Sequence, residues 1–348
     1  MKHTHLHTRL LALLLCCALV LPLSACGEAK STTQQIFAMD TVMDLTAYGK
    51  KADDGINAAI SIINSMDTLL DPENERSKTY EINHAMGSPV VVNEQIAKML
   101  RTALTVYERT NGAFDLTTYP LSKLWGFIDQ NYRVPSDAEI ERLLPCVDMR
   151  KVQLAATDDS ANSLVTMPAD MALSFGAVAK GCASDYAIQA MRAAGVTSGV
   201  VSLGGNVQTL GKKPDGSDWN IAIQDPNDTG SYLGYLTVGE TAVITSGSYQ
   251  RYFTEGGQKY HHILSPTTGR PVNNGLLAVT IVCEDGTLAD CLSTAMFVLG
   301  PQAALNYWRT YGGFEMLLVK TDGHVVLTNG LYGQFTPNGD SYVVDYAS

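Results

Sequence analysis

Apolar residues recur at helical spacing in several stretches of the chain. In the clearest one, positions 56, 60, 63, 66 and 70 are all apolar, so these side chains would share one face of a helix. A later stretch ends at Asn111-Gly112, which is typical of a helix that stops at a turn. Helices are predicted at 56–70, 93–110, 137–144, 178–194, 287–299 and 303–311.

Alternating or short apolar runs predict strands between these helices. Strands are expected at 35–48, 199–203, 219–224, 235–245 and 277–283, a hairpin at 152–167, and two or three strands within 314–344. Several of these strands follow one another without an intervening helix, which favours antiparallel pairing over a doubly wound sheet. The sequence therefore predicts one large α+β domain at 35–345, with a mainly antiparallel sheet and helices packed on it.

The N-terminus has the pattern of a signal sequence. Lys2 and Arg9 precede an apolar run at 10–23, which is short for a transmembrane helix. The run ends in Leu23-Ser-Ala-Cys26, which resembles the bacterial lipobox. We expect a signal peptide at 1–25, a lipidated Cys26, a polar tether up to residue 34, and a protein held at the extracytoplasmic face of the cell membrane. An ordinary secretory signal that contains a cysteine is the alternative.

Charge and cysteine content narrow the class of protein. The net charge is −11 and no basic stripe is present, which argues against nucleic-acid binding. An anionic phosphate ligand would therefore need a local metal ion or helix N-terminus. Cysteines beyond the signal and Cys26 are few and widely spaced, without a CxxC motif, so we expect free thiols and no disulfide framework. They are Cys146, Cys182, Cys283 and Cys291.

Two segments carry residues that suit a dinucleotide. In 110–127 a glycine turn is followed by aromatic residues and Asp115, which suits a planar ring and a ribose or ring N–H, although core packing around a turn gives the same pattern. In 173–185 small residues lead into a helix with Lys180 on its first turn, where helix amides and a lysine favour a pyrophosphate. Close packing of that helix through its small residues is the alternative.

Two further segments suggest acid–base and metal chemistry. His261 and His262 are neighbours on a predicted strand, so at most one of them faces a given site, as a general base or as a structural residue. Asp290 and Thr294 are four residues apart on a predicted helix and would offer two oxygen ligands to Mg²⁺. Thr287 and Asp290 also fit a capping box, and spacing alone slightly favours that structural role.

Taken together and in this order, these segments resemble the bacterial FAD:protein FMN transferases, the ApbE family. The resemblance covers about 37–299 of the chain. It rests on Ala38-Met-Asp-Thr41, Gly112-Ala-Phe-Asp115, Leu124-Trp-Gly-Phe127, Ala179-Lys-Gly181, Ser202-Leu-Gly-Gly-Asn206, Gly211-Lys-Lys-Pro-Asp-Gly216, Ile223-Gln-Asp-Pro226, Thr245-Ser-Gly247, His261-His-Ile-Leu264, Pro266-Thr-Thr-Gly-Arg-Pro271 and Leu288-Ala-Asp-Cys-Leu-Ser-Thr294.

The resemblance implies a T-fold-like domain that uses FAD and Mg²⁺ to attach FMN to a threonine or serine of an acceptor protein, with release of AMP. The acceptor would be a flavoprotein subunit of a membrane electron-transfer complex. The metal would be held by Asp290, by Thr294 and by the backbone carbonyl of Ala177, and His262 would help to deprotonate the acceptor threonine. The residues implied along FAD are Met39, Ala113, Phe114, Asp115, Ser174, Lys180, His262 and Ile263.

Two positions depart from the family pattern. Ser174 stands where an aspartate that contacts FAD is usual, and Cys182 replaces a tyrosine. Serine brings no charge and reaches less far, so we expect weaker FAD binding or an altered adenosine contact. Two other functions stay open at this point: a Mg²⁺-dependent FAD pyrophosphatase that uses water as acceptor, and a lipoprotein that binds FAD without turnover.

Overall fold

Seventeen strands and eight α-helices form within residues 30–347, which are the residues that the computed structural model describes. The strands are β1 Ser31–Ala38, β2 Thr41–Tyr48, β3 Val90–Asn93, β4 Gln153–Ala156, β5 Asn162–Thr166, β6 Gly199–Leu203, β7 Asn206–Leu210, β8 Trp219–Gln224, β9 Tyr232–Val238, β10 Ala242–Gly247, β11 Tyr252–Glu255, β12 Gln258–His261, β13 Leu276–Cys283, β14 Glu315–Lys320, β15 His324–Thr328, β16 Phe335–Pro337 and β17 Val343–Ala347. The helices are α1 Ala52–Leu70, α2 Lys78–Asn83, α3 Glu94–Arg109, α4 Tyr119–Leu124, α5 Asp137–Leu143, α6 Ala179–Ala193, α7 Gly286–Leu299 and α8 Pro301–Tyr311.

A nine-stranded sheet organises these elements, in the order β1-β2-β6-β7-β10-β13-β14-β15-β17. Every neighbouring pair in it is antiparallel except β15 and β17. Three smaller sheets accompany it: β16-β9-β8, β3-β5-β4 and the hairpin β11-β12. The predicted α+β class with a mainly antiparallel sheet is therefore confirmed.

The large sheet is buried on both faces, as the alternation along its central strands requires. On β10, Ile244 packs into a core shared with the helices, whereas Val243 packs into a second core. On β14, Met316 packs into the core shared with the helices, whereas Leu317 packs into the second core. Helices α1, α3, α6 and α7 therefore cover one face, while β8, β9 and β16 cover part of the other. Because strand side chains alternate with period two, both cores come from the same strands.

Two predicted strands and the C-terminal tail fold differently from the expectation. Residues 35–48 form the hairpin of β1 and β2 rather than one strand, because the backbone reverses at Met39 and Asp40, whose φ angles are 49° and 58°. Such a two-residue turn needs positive φ at both positions and is usually built from Asn or Gly, so no signal marked it. Residues 235–245 are likewise divided between β9 and β10, and the tail after 314 forms four strands.

The predicted helices are confirmed, with ends that shift by a few residues. The first begins at Ala52, four residues earlier than expected, and the hairpin at 152–167 is present as β4 and β5. Strand β1 begins at Ser31, so residues 31–34 belong to the sheet and not to the tether. The residues from Ser31 onward form one compact unit.

The N-terminal predictions fall mainly outside the described residues. The signal peptide and the lipidated Cys26 lie within 1–29 and stay predictions. Among residues 30–347, no helix is long and apolar enough to cross a membrane. The remaining cysteines are free thiols, as expected, and three of them are buried.

Candidate functional site

The implied flavin and metal residues all line one cleft of about 1320 Å³. The cleft is formed by the tip of the β1–β2 hairpin, the loop before α4, the start of α6, the β6–β7 turn, the segment after β12 and one face of α7. Small-molecule sites usually measure roughly 300–1,000 Å³, so a dinucleotide has room here. The residues that the structure brings together are Met39, Ala113, Phe114, Asp115, Ser174, Ala177, Lys180, His262, Ile263, Asp290 and Thr294.

The hairpin tip is held rigidly against the cleft. The backbone N–H of Met39 donates to Asp67 Oδ1 at 2.8 Å, which fixes the strained turn from below. Gly204 packs against Thr41, since a Cβ there would lie 2.5 Å from the Thr41 hydroxyl. Backbone held in a sparsely populated region is common at ligand sites, where surrounding contacts determine it. The tip is thus a preformed part of the cleft wall.

Asp115 mainly organises the protein around it. Its carboxylate accepts from Thr117 N at 2.7 Å, from Thr117 Oγ1 at 2.5 Å and from Met149 N at 3.1 Å. Burial raises the pKa of Asp115, although these hydrogen bonds act to lower it. Phe114 is 1% exposed and Trp125 is fully buried, so core packing explains both aromatic side chains. An exposed ring does line the cleft at Tyr132.

Two cationic side chains in the cleft have no acidic partner in the part of the chain that the structure describes. Lys180 lies on the first turn of α6, as predicted, and Arg251 lies just before β11. Both line the cleft, and within residues 30–347 neither the ammonium nor the guanidinium makes an ion pair or a side-chain hydrogen bond. Ser174 also lines the cleft, and its hydroxyl accepts from Gly176 N at 3.2 Å. The cleft lining around these side chains is therefore suited to an anion, although the net charge of the chain is negative.

The two histidines lie in different surroundings, but only His261 belongs to a strand, because β12 ends there and His262 follows it. His261 is 7% exposed, and its Nε2 lies 2.7 Å from the carbonyl oxygen of Val272. His262 lines the cleft, with Nδ1 3.2 Å from the carbonyl oxygen of Arg251. A carbonyl only accepts, so this bond places the proton on Nδ1 and leaves the Nε2 lone pair free. Burial and the Arg251 charge lower the pKa of His262 to about 3, so the ring is neutral.

Asp290 is a buried carboxylate held by neutral donors. It is 3% exposed and accepts from Gly181 N at 2.8 Å and from Asn206 Nδ2 at 2.9 Å. The capping box with Thr287 is wrong, because α7 begins one residue earlier than predicted and Asp285 caps it by accepting from Leu288 N. Asp290 lies beyond that first turn and points to the start of α6 instead.

The donor set around Asp290 fits a hard divalent cation. No lysine, arginine or histidine pairs with this carboxylate within residues 30–347, and buried charges are normally paired or bound to metal. Thr294 Oγ1 lies 3.2 Å from Ser246 Oγ, and Ala177 lines the same cleft. Residues 30–347 contain no group of three or more His, Cys, Asp or Glu side chains that could hold a metal ion. One carboxylate, one hydroxyl and one carbonyl match Mg²⁺, which keeps waters and takes substrate phosphates.

Sequence reasoning gave no role to three residues that the structure places at or next to the site. Asn206 donates to Asp290, Arg251 faces the cleft, and Asp185 receives the first amides of α7. Asn206 and Asp185 each end a segment discussed above, and Arg251 lies four residues after the Thr245-Ser-Gly247 motif. Their position in or near those segments was the signal that could have indicated a role. Their hydrogen-bond partners are distant in sequence, so the sequence alone does not show them.

Comparison with known proteins agrees with this geometry. The family model described as the ApbE family matches residues 39–318. The FAD:protein FMN transferase of Klebsiella pneumoniae (strain 342) is 31% identical over 285 residues, which is 81% of this chain and 87% of that protein. The FAD:protein FMN transferase of Treponema pallidum (strain Nichols) is 29% identical over 326 residues, covering 88% of this chain and 90% of that one.

Solved structures show the same fold. The ApbE protein from Thermotoga maritima superposes with a TM-score of 0.81 at 30% identity, over 88% of this chain and 100% of that one. The apo form of the flavinyl transferase ApbE from Pseudomonas stutzeri gives a TM-score of 0.75 at 26% identity, over 89% and 98%. On the family model and on these likenesses, the chain belongs to the ApbE family.

Proposed function

We propose that this chain is an FAD:protein FMN transferase, which moves FMN from FAD to a threonine or serine hydroxyl of an acceptor protein and releases AMP. The relatives that carry this activity in their names align over most of the chain. The observation that carries the proposal is a buried carboxylate, Asp290, in a cleft that also holds Lys180 and Arg251, all three without an ion-pair partner among residues 30–347. A divalent metal ion would supply the positive charge that Asp290 lacks as a partner. The diphosphate would supply the negative charge that Lys180 and Arg251 lack.

The chemistry follows from these charges. Asp290, Thr294 and the Ala177 carbonyl would hold Mg²⁺, which supplies charge neutralisation at the diphosphate when bound. Lys180 and Arg251 would bind the phosphate oxygens and orient the phosphorus of the FMN half. The acceptor oxygen forms a bond to that phosphorus, while the bond from phosphorus to the AMP oxygen breaks. The protein thus acts mainly by positioning and by charge stabilisation.

His262 would take the proton of the acceptor hydroxyl. The Nδ1–H donates to the Arg251 carbonyl, so the free Nε2 is the atom that can accept a proton. The low pKa keeps the imidazole neutral at physiological pH, and the base form is therefore always present. The same low pKa makes the ring a weak base, so the transferred proton must pass on to solvent or to the departing AMP.

We further propose that the protein is anchored by lipid at the extracytoplasmic face of the cell membrane and serves a flavoprotein subunit of a membrane electron-transfer complex. The support is the sequence alone: an apolar run that ends in Leu23-Ser-Ala-Cys26, followed by a short polar segment. Metabolic labelling of the full chain with a palmitate analogue, compared with Cys26→Ala, tests the anchor.

The deciding experiment uses the chain from residue 27 onward, which keeps the whole unit that begins at Ser31. It is incubated with FAD, Mg²⁺ and a protein that carries an acceptor threonine. Mass spectrometry follows the acceptor and chromatography follows AMP. An FMN adduct that Asp290→Ala abolishes, and that Asp322→Asn at an exposed turn retains, supports transfer. AMP without adduct indicates the pyrophosphatase, and bound FAD without either product indicates a binding protein.

A further inference from the structure

Asp185 is a buried carboxylate on α6 that the proposed reaction does not use. It is 5% exposed and lies on the side of α6 that packs against α7. Its two oxygens accept five hydrogen bonds, a dense arrangement for one side chain. The donors are Gly286 N at 2.8 Å and Gln208 Nε2 at 3.1 Å on Oδ1, and Lys98 Nζ at 2.7 Å, Thr287 N at 3.0 Å and Thr287 Oγ1 at 2.6 Å on Oδ2.

These bonds fix the beginning of α7, the helix that carries Asp290 and Thr294. The first amides of a helix have no partner within the helix, and an anion near them is favoured by the helix dipole. Asp185 receives the first two amides of α7, and Asp285 receives the third through Leu288 N at 2.9 Å. Asp290 follows on the next turn, so its location depends on where these carboxylates hold the helix start.

Helices α6 and α7 also meet with almost no space between their backbones. A Cβ on Gly181 would lie 2.1 Å from the carbonyl oxygen of Gly286, and one on Gly286 would lie 2.8 Å from the carbonyl oxygen of Gly181. At this crossing Gly181 N donates to Asp290 at 2.8 Å. Close packing through small residues is therefore present, and it brings Asp185 and Asp290 into one hydrogen-bonded frame.

Strand β7 completes that frame. Asn206 and Gln208 are two residues apart, so their side chains point to the same face of the strand. Asn206 donates to Asp290 at 2.9 Å, whereas Gln208 donates to Asp185 at 3.1 Å. Both side chains are buried. The two carboxylates are thus held by alternate positions on one face of β7 as well as by one helix crossing.

Lys98 on α3 balances the charge of the frame. Its ammonium lies 2.7 Å from Asp185 and 3.4 Å from Asp285, and its side chain is 25% exposed. Burial alone would raise the pKa of Asp185, but Lys98 and the hydrogen bonds from Thr287 and Gly286 outweigh it and keep that pKa below its ordinary value. Asp185 is consequently ionised, which is the state that accepts all five donors.

We propose that Asp185 is a positioning residue for the transfer reaction, which holds the first turn of α7 so that Asp290 and Thr294 meet the cation in the cleft. This inference rests on the cation site of the proposed function. Residues that orient metal ligands typically change metal affinity by about 10–100-fold when they are replaced. The expected signature is therefore a loss of cation affinity in a protein that still folds and still binds FAD.

The test measures Mn²⁺ binding by electron paramagnetic resonance on the chain from residue 27 onward, with saturating FAD. In Asp185→Asn the amide keeps the size of the side chain but brings a donor toward Thr287 N and Lys98. We expect the Mn²⁺ dissociation constant to rise about tenfold or more. At saturating Mg²⁺ the transfer rate should recover to within a few fold of wild type, which separates positioning from catalysis.

Two further variants keep the test interpretable. Asn93→Ala removes the N-cap of α3, where Asn93 accepts from Ile96 N at 3.1 Å, and it should lower the melting temperature without changing Mn²⁺ affinity. Lys98→Met leaves Asp185 bonded to Gly286 and Thr287, so we expect a smaller rise in the Mn²⁺ dissociation constant than for Asp185→Asn. Lys98→Met also replaces Asp185→Asn as the test variant if Asp185→Asn does not fold.

Each outcome decides the question. Wild-type Mn²⁺ affinity in Asp185→Asn, or in Lys98→Met if the first variant does not fold, overturns the positioning role. A wild-type protein that binds Mn²⁺ but transfers no FMN contradicts the proposed function, while the Mn²⁺ dissociation constants still decide the role of Asp185. A wild-type protein that binds no Mn²⁺ in the presence of FAD has no cation to position, and the inference then fails.

Discussion

The imidazole of His262 donates from Nδ1 to the backbone carbonyl of Arg251 over 3.2 Å, and this bond leaves Nε2 as the nitrogen that can accept a proton. The partner is a main-chain atom just before β11, so the arrangement does not depend on the Arg251 side chain. His261, the last residue of β12, makes its own bond to the carbonyl of Val272. Two adjacent histidines therefore have separate tasks, and substitution can distinguish them.

Replacing His262 by glutamine should slow FMN transfer without weakening FAD binding. General-base catalysis by a positioned side chain contributes about 10²- to 10⁴-fold, and we expect a loss of that order in the single-turnover rate. The FAD dissociation constant, measured by flavin fluorescence, should stay within about twofold, because the base touches the acceptor rather than the diphosphate. His261→Gln is the matched control and should retain the rate. Transfer by His262→Gln at the wild-type rate would remove this role.

The low pKa of His262 also predicts how acid affects stability. In the folded state that pKa is about 3, whereas an unfolded histidine titrates near about 6.5. Between these values the unfolded state binds a proton that the folded state does not, so stability falls as pH drops below about 6.5. At pH 5 this contributes about 1–2 kcal/mol of destabilisation relative to pH 8.

Urea denaturation of the wild type and of His262→Gln at pH 8 and pH 5 checks this sign. The variant should lose less stability than the wild type between the two pH values, by about 1–2 kcal/mol. His84→Gln, at an exposed histidine just after α2, is the matched control and should follow the wild type. An equal pH dependence in His262→Gln and wild type would show that His262 is not buried as a neutral ring.

How much of this could be predicted from the sequence depended on whether the signal was local. Helical and strand periodicity placed α6 and α7 within one residue, and the segments at their starts carried Lys180 and Asp290. The turn at Met39 was missed because neither of its two residues is the usual Asn or Gly. The start of α7 was misread because a distant side chain, Asp185, receives its first amides. Such long-range partners follow from the fold and leave no pattern along the chain.

Ser174 offers a direct test of a family departure. Its hydroxyl accepts from Gly176 N at 3.2 Å, and an aspartate at this position keeps that acceptor while adding a charge and a longer reach into the cleft. Hydrogen bonds to charged groups contribute about 1.5–3 kcal/mol, so Ser174→Asp should tighten FAD binding about tenfold or more. Isothermal titration with FAD measures this, with Ser88→Asp on an exposed loop as control. An unchanged FAD dissociation constant would mean that serine already makes the required contact.

Arg251 should recognise the diphosphate, and a flavin without phosphate separates that role from ring binding. Arg251→Met removes from the cleft a guanidinium that has no ion pair within the described residues 30–347, but it keeps the backbone carbonyl that holds His262. Charge-assisted bonds of arginine to phosphate are stronger than neutral ones, so we expect the FAD dissociation constant to rise about tenfold or more. Its dependence on salt concentration should weaken too, because one screened charge pair is lost. Riboflavin should bind the variant and the wild type equally.

The matched control is Arg192→Met, at an exposed arginine that pairs with Glu240 on the surface. It removes one positive charge, as Arg251→Met does, so any general effect of charge on FAD binding would appear in both variants. If both variants lose FAD affinity equally, the long-range field of the protein and not the cleft attracts the diphosphate. If Arg251→Met loses riboflavin as well, the arginine holds the shape of the cleft and its main role is not to bind the diphosphate.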